Sequence, residues 1–260
     1  INNALPNPDL LPETTRSTEI GFDVRLLDNK LNASLTWYKT NTFDQLFRTP
    51  VGPAFGAQFI FQNGADIQNT GIEINLGGRI INNEDFSWDA NFNFAANKSK
   101  VLDIAEGFDQ LTQSTDFIRA YRLVVGEEFG NVYSRGFARD DQGRVIVDAA
   151  GLPTVTSGLS VKIANFNPDW LGGFSNTFRY KDFSLSVLID IRQGGTIATF
   201  TEAILAGNGL LDSTADGRDG SLVFGENVYG GETAVTATGQ PNTISVSSED
   251  LWNRLGGRNT

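Results

Sequence analysis

The side chains that could do chemistry in this chain are carboxylates, hydroxyls, amides and bases of the lysine and arginine type, because it contains no histidine and no cysteine. Without histidine a serine or threonine lacks its usual general base, so a nucleophilic triad finds no support. Without thiols there is no disulfide, no thiolate nucleophile and no thiolate metal site. Asp140-Asp141-Gln142-Gly143 has the acidic, glycine-containing character of a calcium loop, but Arg144 intrudes and no closing glutamate follows, so a plain turn is expected. Asp212, Asp216 and Asp219 could gather around a cation, yet Arg218 lies among them and a solvated loop fits better. Glu127 and Glu128, read as neighbours on a strand, would point to opposite faces and do not suit a glycosidase pair. Gly194-Gly195 is followed by no Lys-Ser/Thr and opens no helix, which argues against a phosphate loop. Catalytic residues, cofactors and metal ligands are therefore all read as none.

The remaining polar candidates recur with period two: Glu19, Asp23 and Arg25, then Glu73, then Asp89, Asn91 and Asn93, then Asp190 and Arg192. Each group alternates with apolar residues, so each belongs to one face of a strand. Such a row can contact solute or simply hydrate and cross-link a polar interior. It suits transport better than catalysis.

The elements that carry these rows are three pairs of alternating strands. Thr18 to Leu26 puts Ile20, Phe22, Val24 and Leu26 on one face, turns at Asp28-Asn29, and returns over Leu31 to Phe43. Pro50 and Pro53 predict a loop from Asp44 to about Asp66. The second pair runs Gly71 to Leu76, turns through Asn82-Asn83-Glu84-Asp85, and returns as Phe86 to Phe94. The third joins Trp170–Tyr180 to Phe183–Arg192 through Lys181-Asp182, with Leu188 as one apolar residue on its polar face. If the three short turns share one side, an even number of wall strands, zero included, lies between Asn97 and Asn165. That segment reads as a long loop with a small hairpin of its own near Phe129–Phe137 and Val145–Val147. Gln193 to Thr260 holds 12 of the 28 glycines and 8 acidic against 3 basic residues, which predicts another long loop, with a helix at Ser248–Leu255 begun by a serine cap.

Alternation alone also fits a soluble β sandwich. Three features favour an antiparallel transmembrane β-barrel, seen here as a partial wall of about six long strands with long extracellular loops. The strands are long enough to cross a bilayer core. Trp37, Tyr38, Trp88, Trp170 and Tyr180 fall near predicted strand ends, as an interfacial girdle requires. The candidate lumen side carries paired signs, such as Asp23 with Arg25 and Asp190 with Arg192. No apolar run reaches the ~18 residues of a spanning helix. A net charge of −11 argues against nucleic acid as a partner. The chain has no methionine and no leader-like start, so any secretory signal is expected outside it.

The sequence resembles the SusC/RagA-type TonB-dependent outer-membrane transporters, in the C-terminal part of their barrel. The likeness rests on Asn7-Pro-Asp-Leu-Leu-Pro-Glu-Thr-Thr15 leading to Glu19-Ile-Gly-Phe-Asp23, on Asn69-Thr-Gly-Ile-Glu-Ile74, and on Phe86-Ser-Trp-Asp-Ala-Asn-Phe-Asn-Phe94 with Asn97-Lys98. Val125-Gly-Glu-Glu-Phe-Gly130, Asn165-Phe-Asn-Pro-Asp169, Gly173-Phe-Ser-Asn-Thr-Phe178, Lys181-Asp-Phe-Ser-Leu-Ser186 and Leu251-Trp-Asn-Arg-Leu255 extend it in order across nearly the whole chain.

The resemblance implies a barrel of about 22 strands filled by a plug, a TonB box that couples import to the inner membrane, and a SusD-like surface lipoprotein as lid. It implies outer-membrane lipid and an oligosaccharide or peptide substrate as further partners. The plug and TonB box are not in this chain, which is expected to be one domain over 1–260, a fragment of the larger receptor without its last strands. An open sheet would leave edge groups unpaired in lipid. Active nutrient uptake by a non-enzyme is the leading expectation, a docking scaffold for surface or secretion partners the second, and a soluble carbohydrate-binding module the third. Phe55, Phe59, Phe61, Tyr121, Tyr133 and Phe137 could stack on sugars or meet a lid, or else pack within their own loops.

Overall fold

The computed structural model describes residues 4–256, apart from 29, 106–107, 117, 198, 200, 216, 219 and 226–232. The chain forms two compact units, one of Ile1–Gln113, Arg122–Asn131 and Asn165–Thr196, the other of Ser114–Tyr121, Val132–Ala164 and Ile197–Thr260.

The first unit is built on six long strands: β1 (Thr14–Leu26), β2 (Leu31–Pro50), β3 (Phe59–Asn82), β4 (Phe86–Ile104), β5 (Trp170–Tyr180) and β6 (Phe183–Gln193). They lie side by side in chain order, each antiparallel to the next. β4 pairs directly with β5, so among the described residues the segment between them adds no strand to this sheet. The parity expectation is met with the value zero. Ala4–Leu5 adds a short parallel pairing with Phe59–Ile60 at the far end of β3.

Turn chemistry fixes the hairpins. Leu27 and Asp28 take left-handed backbone conformations after β1, whereas Asn29 lies outside the described residues. Asn83 closes the second turn by accepting the Phe86 N–H on Oδ1 at 2.7 Å. Lys181 is left-handed (φ 51°), as the first residue of a two-residue hairpin can be.

The sheet extends further than the sequence pattern suggests. Asp44–Asp66 is not a loop: the β2–β3 ladder continues to the Pro50–Phe59 pair, and only residues 51–58 connect the strands. Proline is tolerated here because it occupies the last rung, where its missing N–H costs least. A bulge at Asp44 (φ 56°) absorbs the break in alternation. The backbone groups that the bulge frees are satisfied: the Asp44 N–H donates to Asp66 Oδ1 at 3.0 Å, and Asn63 Nδ2 donates to the Asp44 carbonyl at 2.7 Å. The extra length also moves Trp37 and Tyr38 from a strand end to mid-strand.

Register sorts the side chains into two faces. Val24, Ala33, Leu76, Phe92, Phe174 and Ile189 form one continuous rung, and Phe22, Leu35, Ile74, Phe94, Gly172 and Ile191 the next. A soluble sandwich would bury this face, but Phe22 is 66% exposed, Leu185 61% and Phe183 79%, which counts against the soluble-module expectation. The one polar residue in its middle, Asn176, is buried, and its Oδ1 accepts the Trp88 indole N–H at 3.0 Å. Beyond Asn97, the opposite face of β3 and β4 turns apolar. There Ile67, Val101, Ala65 and Ile104 join Phe47, Leu111 and Leu123 in the buried core of the unit.

In the second unit Val145–Val147 pairs with Ala234–Thr236 in parallel, and Ser221–Val223 pairs antiparallel with Ser245–Ser247. The hairpin expected between Phe129–Phe137 and Val145–Val147 is therefore replaced. Asn131–Ser134 instead meets Ala120–Val124 through Ala120–Tyr133 and Tyr121–Val132, and Arg139 makes only an isolated bridge to Val145. Side-chain packing decides this, because Val145, Val147, Phe224, Ala234, Val246 and Leu251 close one core. Helix α1 (Thr201–Gly207) arises within the stretch expected to be loop, and α2 (Ser248–Gly256) falls where a helix was expected.

The cap of α2 is Ser247, whose Oγ accepts the Asp250 N–H at 3.0 Å and donates to Asp250 Oδ2 at 2.7 Å. Ser247→Ala should destabilise α2 by about 1 kcal/mol, read as faster amide exchange at Trp252–Arg254, while exchange in β5 and β6 stays unchanged.

Candidate functional site

The polar face of the six-strand sheet gathers the period-two candidates Glu19, Asp23, Arg25, Glu73, Asp89, Asn91, Asn93, Asp190 and Arg192. Glu19 opens a rung that continues through Tyr38, Gly71 and Asn97. Asp23, Ser34, Asn75, Asn93, Gly173 and Asp190 make one rung across all six strands. Arg25, Asn32, Gly77, Asn91, Ser175 and Leu188 make the next, and Glu73 and Arg192 share a third with Thr36, Ala95 and Leu171. Asp89 stands nearest the short turns.

The charges pair across strands, not along them. Asp89 Oδ1 lies 2.8 Å from Arg79 Nε on β3 and its Oδ2 lies 3.8 Å from Arg179 Nη1 on β5. Asp23 with Arg25 and Asp190 with Arg192 form no ion pair among the described residues. Residues two apart on a strand are separated by about 6.6 Å of rise, whereas facing residues on neighbouring strands approach to about 5 Å. Arg192 is used differently: its Nη2 donates to the Phe166 carbonyl at 2.7 Å and ties the end of β6 to the segment that enters β5.

Glycines make room on this face for polar side chains to lie flat. A Cβ at Gly71 would overlap the Tyr38 phenol, which crosses the glycine so that its hydroxyl donates to Asn97 Oδ1 at 3.2 Å. Asn97 Nδ2 in turn donates to Asn69 Oδ1 at 3.1 Å. Tyr38 is thus a member of the polar face and not of an aromatic girdle. Gly77 serves Asn91 and Gly173 serves Asn93 in the same way.

Above these rungs a polar notch of about 270 Å³ is lined by Asn97, Ser99, Glu128, Asn165, Asn167 and Asp169, among others. Its frame is the Phe129 carbonyl, which accepts from Asn165 Nδ2 at 3.1 Å and Asn167 Nδ2 at 2.5 Å, while the Phe129 N–H donates to Ser99 Oγ at 3.1 Å. Sequence reasoning missed this joint, although the Asn165-Phe-Asn-Pro-Asp169 segment was visible as a pattern. Arg79, Arg179 and the tyrosine–glycine pair were missed because partners across strands follow from register alone. A glycine inside an alternating strand was the available signal, since it marks close approach.

The other candidates separate clearly. The Asp140 carboxylate is engaged by Arg144 Nε at 2.8 Å and by the N–H groups of Gln142 and Arg144 at 3.0 and 2.9 Å. The Arg144 guanidinium, with those N–H groups, holds it below the usual carboxylate range. Gly143 (φ 80°) completes a tight turn. Asp216 and Asp219 lie outside the described residues; Arg218 beside them donates to the Thr214 carbonyl at 3.0 Å. Glu127 and Glu128 lie in a turn, not on a strand, and Glu127 Oε2 accepts from Asn131 Nδ2 at 2.7 Å. Of the loop aromatics, Tyr133 is buried and Phe137 packs edge-on to Phe224 at 5.8 Å, Phe59 lies under Arg48, and Phe55 and Phe61 stay exposed.

A family model described as "TonB dependent receptor-like, beta-barrel" matches residues 1–132. Among curated proteins, TonB-dependent receptor P3 of Formosa agariphila is 31% identical over 81% of this chain and 23% of its own length. TonB-dependent receptor P26 of the same organism is 26% identical over 74% of the chain and 21% of its own. The chain thus spans about a quarter of the curated relatives it matches. The solved structure of the RagAB peptide transporter superposes with a TM-score of 0.58 at 25% identity, over 72% of this chain and 22% of that one. The RagAB peptide importer in its closed-closed state gives a TM-score of 0.62 at 24% identity, over 78% and 23%.

The tyrosine–glycine contact makes a direct prediction. Gly71→Ala must push the Tyr38 ring off β3 and should cost about 1–3 kcal/mol, whereas Tyr38→Phe, which removes only the hydroxyl, should cost about 1 kcal/mol. In denaturant melts of the complete receptor, Gly71→Ala in a Tyr38→Ala background should be nearly neutral. An undiminished cost there would show that the ring is not what excludes a side chain at 71.

Proposed function

The chain belongs to the TonB-dependent receptor β-barrel family, and on that premise we propose that it forms part of the barrel wall of an outer-membrane importer driven through TonB. The observation that carries this reading is the division of one continuous sheet into an exposed apolar face without charge and a polar face holding Glu19, Asp23, Arg25, Glu73, Asp89, Asn91, Asn93, Asp190 and Arg192. Lipid covers the first face and the water-filled, plug-containing lumen meets the second. β5 has 11 residues, and its rise of about 33 Å, tilted by about 40°, gives an apolar band about 25 Å tall. Trp37 and Trp170 bound the band at one end, and Trp88, Tyr180 and Phe183 at the other. The sheet edges at β1 and β6 are joined in the complete barrel by strands beyond this chain, since open edges cannot stand in lipid.

The substrate of this importer is a peptide or oligosaccharide, with a SusD-like lipoprotein as lid over the long loops. The peptide class draws support from the peptide transport named for RagAB. The polar rungs and the notch at Asn165 and Asn167 are hydrogen-bonding surfaces suited to either. No step here makes or breaks a covalent bond, and the relatives are receptors by name.

Two measurements on the complete receptor test the wall. Ile189→Arg, in the middle of the apolar band, should cost about 2–4 kcal/mol, and Ser186→Arg on the lumen face far less; equal yields of heat-resistant barrel would overturn the assignment of faces. The short turns should be periplasmic and the long segments extracellular. Since the chain has no native thiol, single cysteines at Gly207 and Asn83 should be labelled and spared, respectively, by an impermeant maleimide on intact cells. The reverse pattern would invert the topology.

A further inference from the structure

The apolar face ends in a sharp change of chemistry. From the Phe86–Tyr180–Phe183 rung up to the rung of Ile20, Trp37, Ile72 and Ala96, no described residue on it is charged. The next rung reads Thr18, Lys39, Thr70 and Lys98, and the one after it Arg16, Asn41, Gln68 and Lys100. Four of these eight positions are basic and none is acidic, in a chain whose net charge is −11. All four are exposed. Among the described residues no carboxylate lies within ion-pair distance of Lys39, Lys98 or Lys100, and the Arg16 guanidinium stands 5.9 Å over the Phe43 ring. Gln68 Nε2 donates to Asn41 Oδ1 at 2.9 Å, so the two amides between the bases bond to each other.

A solvated surface would spread such charge over both sides of the sheet. It does not: on the opposite face the corresponding rungs are Ser17, Thr40, Asn69 and Ser99, then Thr15, Thr42, Ile67 and Val101. The bases therefore cluster on one face, at one height, directly above the tryptophan row.

We propose that Arg16, Lys39, Lys98 and Lys100 form a clamp for the phosphate groups of anionic lipid in the leaflet that adjoins the Trp37–Trp170 level. The inference rests on the reading of this sheet as a membrane wall and adds a ligand to it. Lysine stems lie along apolar surface and lift their ammonium groups to the headgroup layer, where phosphate is the available anion. Two adjacent rungs about 6.6 Å apart along the strands offer paired point charges to a phosphate from β2 and β4.

The test uses the complete receptor in phosphatidylcholine nanodiscs containing a minority of phosphatidylglycerol, with co-retained lipid measured by native mass spectrometry. Wild type should enrich phosphatidylglycerol, and Lys98→Gln/Lys100→Gln should lower that enrichment by about tenfold. Arg25→Gln/Arg179→Gln, which removes equal charge from the other face, should leave it intact. An excess of free inorganic phosphate should not displace the lipid if the headgroup is held within the bilayer. Enrichment that survives Lys98→Gln/Lys100→Gln, or that falls equally with Arg25→Gln/Arg179→Gln, overturns the clamp. If the double variant fails to assemble, Lys39→Gln alone and the loss of wild-type enrichment at high salt decide the matter. A receptor that inserts without enriching anionic lipid overturns this proposal alone; one that stays out of bilayers overturns the wall reading as well.

Discussion

Six strands share one parity, and that constraint governs everything else in the sheet. Because side chains alternate along each strand, a slip of one residue between two neighbours would carry Asp89 into the rung of Trp88 or Ala90, or Arg25 into that of Val24 or Leu26, on the apolar face. The cost of charge on an apolar face holds the register. Tight turns at Asn83 and Lys181 hold it locally. The irregularities stay away from the middle of the apolar band, at Asp44 and Asp66 on one side and near Ile80 on the other. Where the ladder breaks at Asp44, Asp66 and Asn63 satisfy the freed backbone groups.

The faces exchange character at one height. Up to Asn97 the strands are apolar on one side and polar on the other; beyond it the first side becomes basic and the second contributes Ile67 and Val101 to a buried core. On the second side Leu111 and Leu123 close over Ile67 and Val101, with Phe129 packed against them. The Phe129 carbonyl, bonded by Asn165 and Asn167, secures that cover to the start of β5.

On the polar side, glycine and register act together. Gly71, Gly77 and Gly173 are not loosenings of the strands; each vacates the space that Tyr38, Asn91 or Asn93 occupies. Polar side chains can then lie along the wall and bond across it, as Tyr38, Asn97 and Asn69 do. The cross-strand pairing of Asp89 with Arg79 and Arg179 completes the same surface near the short turns.

The sequence by itself determined the alternation, the two faces, the three short turns, the even parity of any intervening wall strands and the residues of the polar rows, because period two and turn chemistry are local; the direct pairing of β4 with β5 set that even number to zero. The Phe183–Gln193 strand and the α2 helix were legible for the same reason. What only the tertiary structure decided is what depends on partners distant in the chain. β2 continues through Asp44 because Asp66 and Asn63 repair its bulge. Val145–Val147 leaves its expected hairpin because Ala234–Thr236 and Phe224 offer a closed core. Tyr38 turns inward because a glycine 33 positions later lies opposite it in register, and the basic rungs line up only once four strands are aligned. Local pattern fixes which way a side chain faces, but its neighbour on that face is set by register.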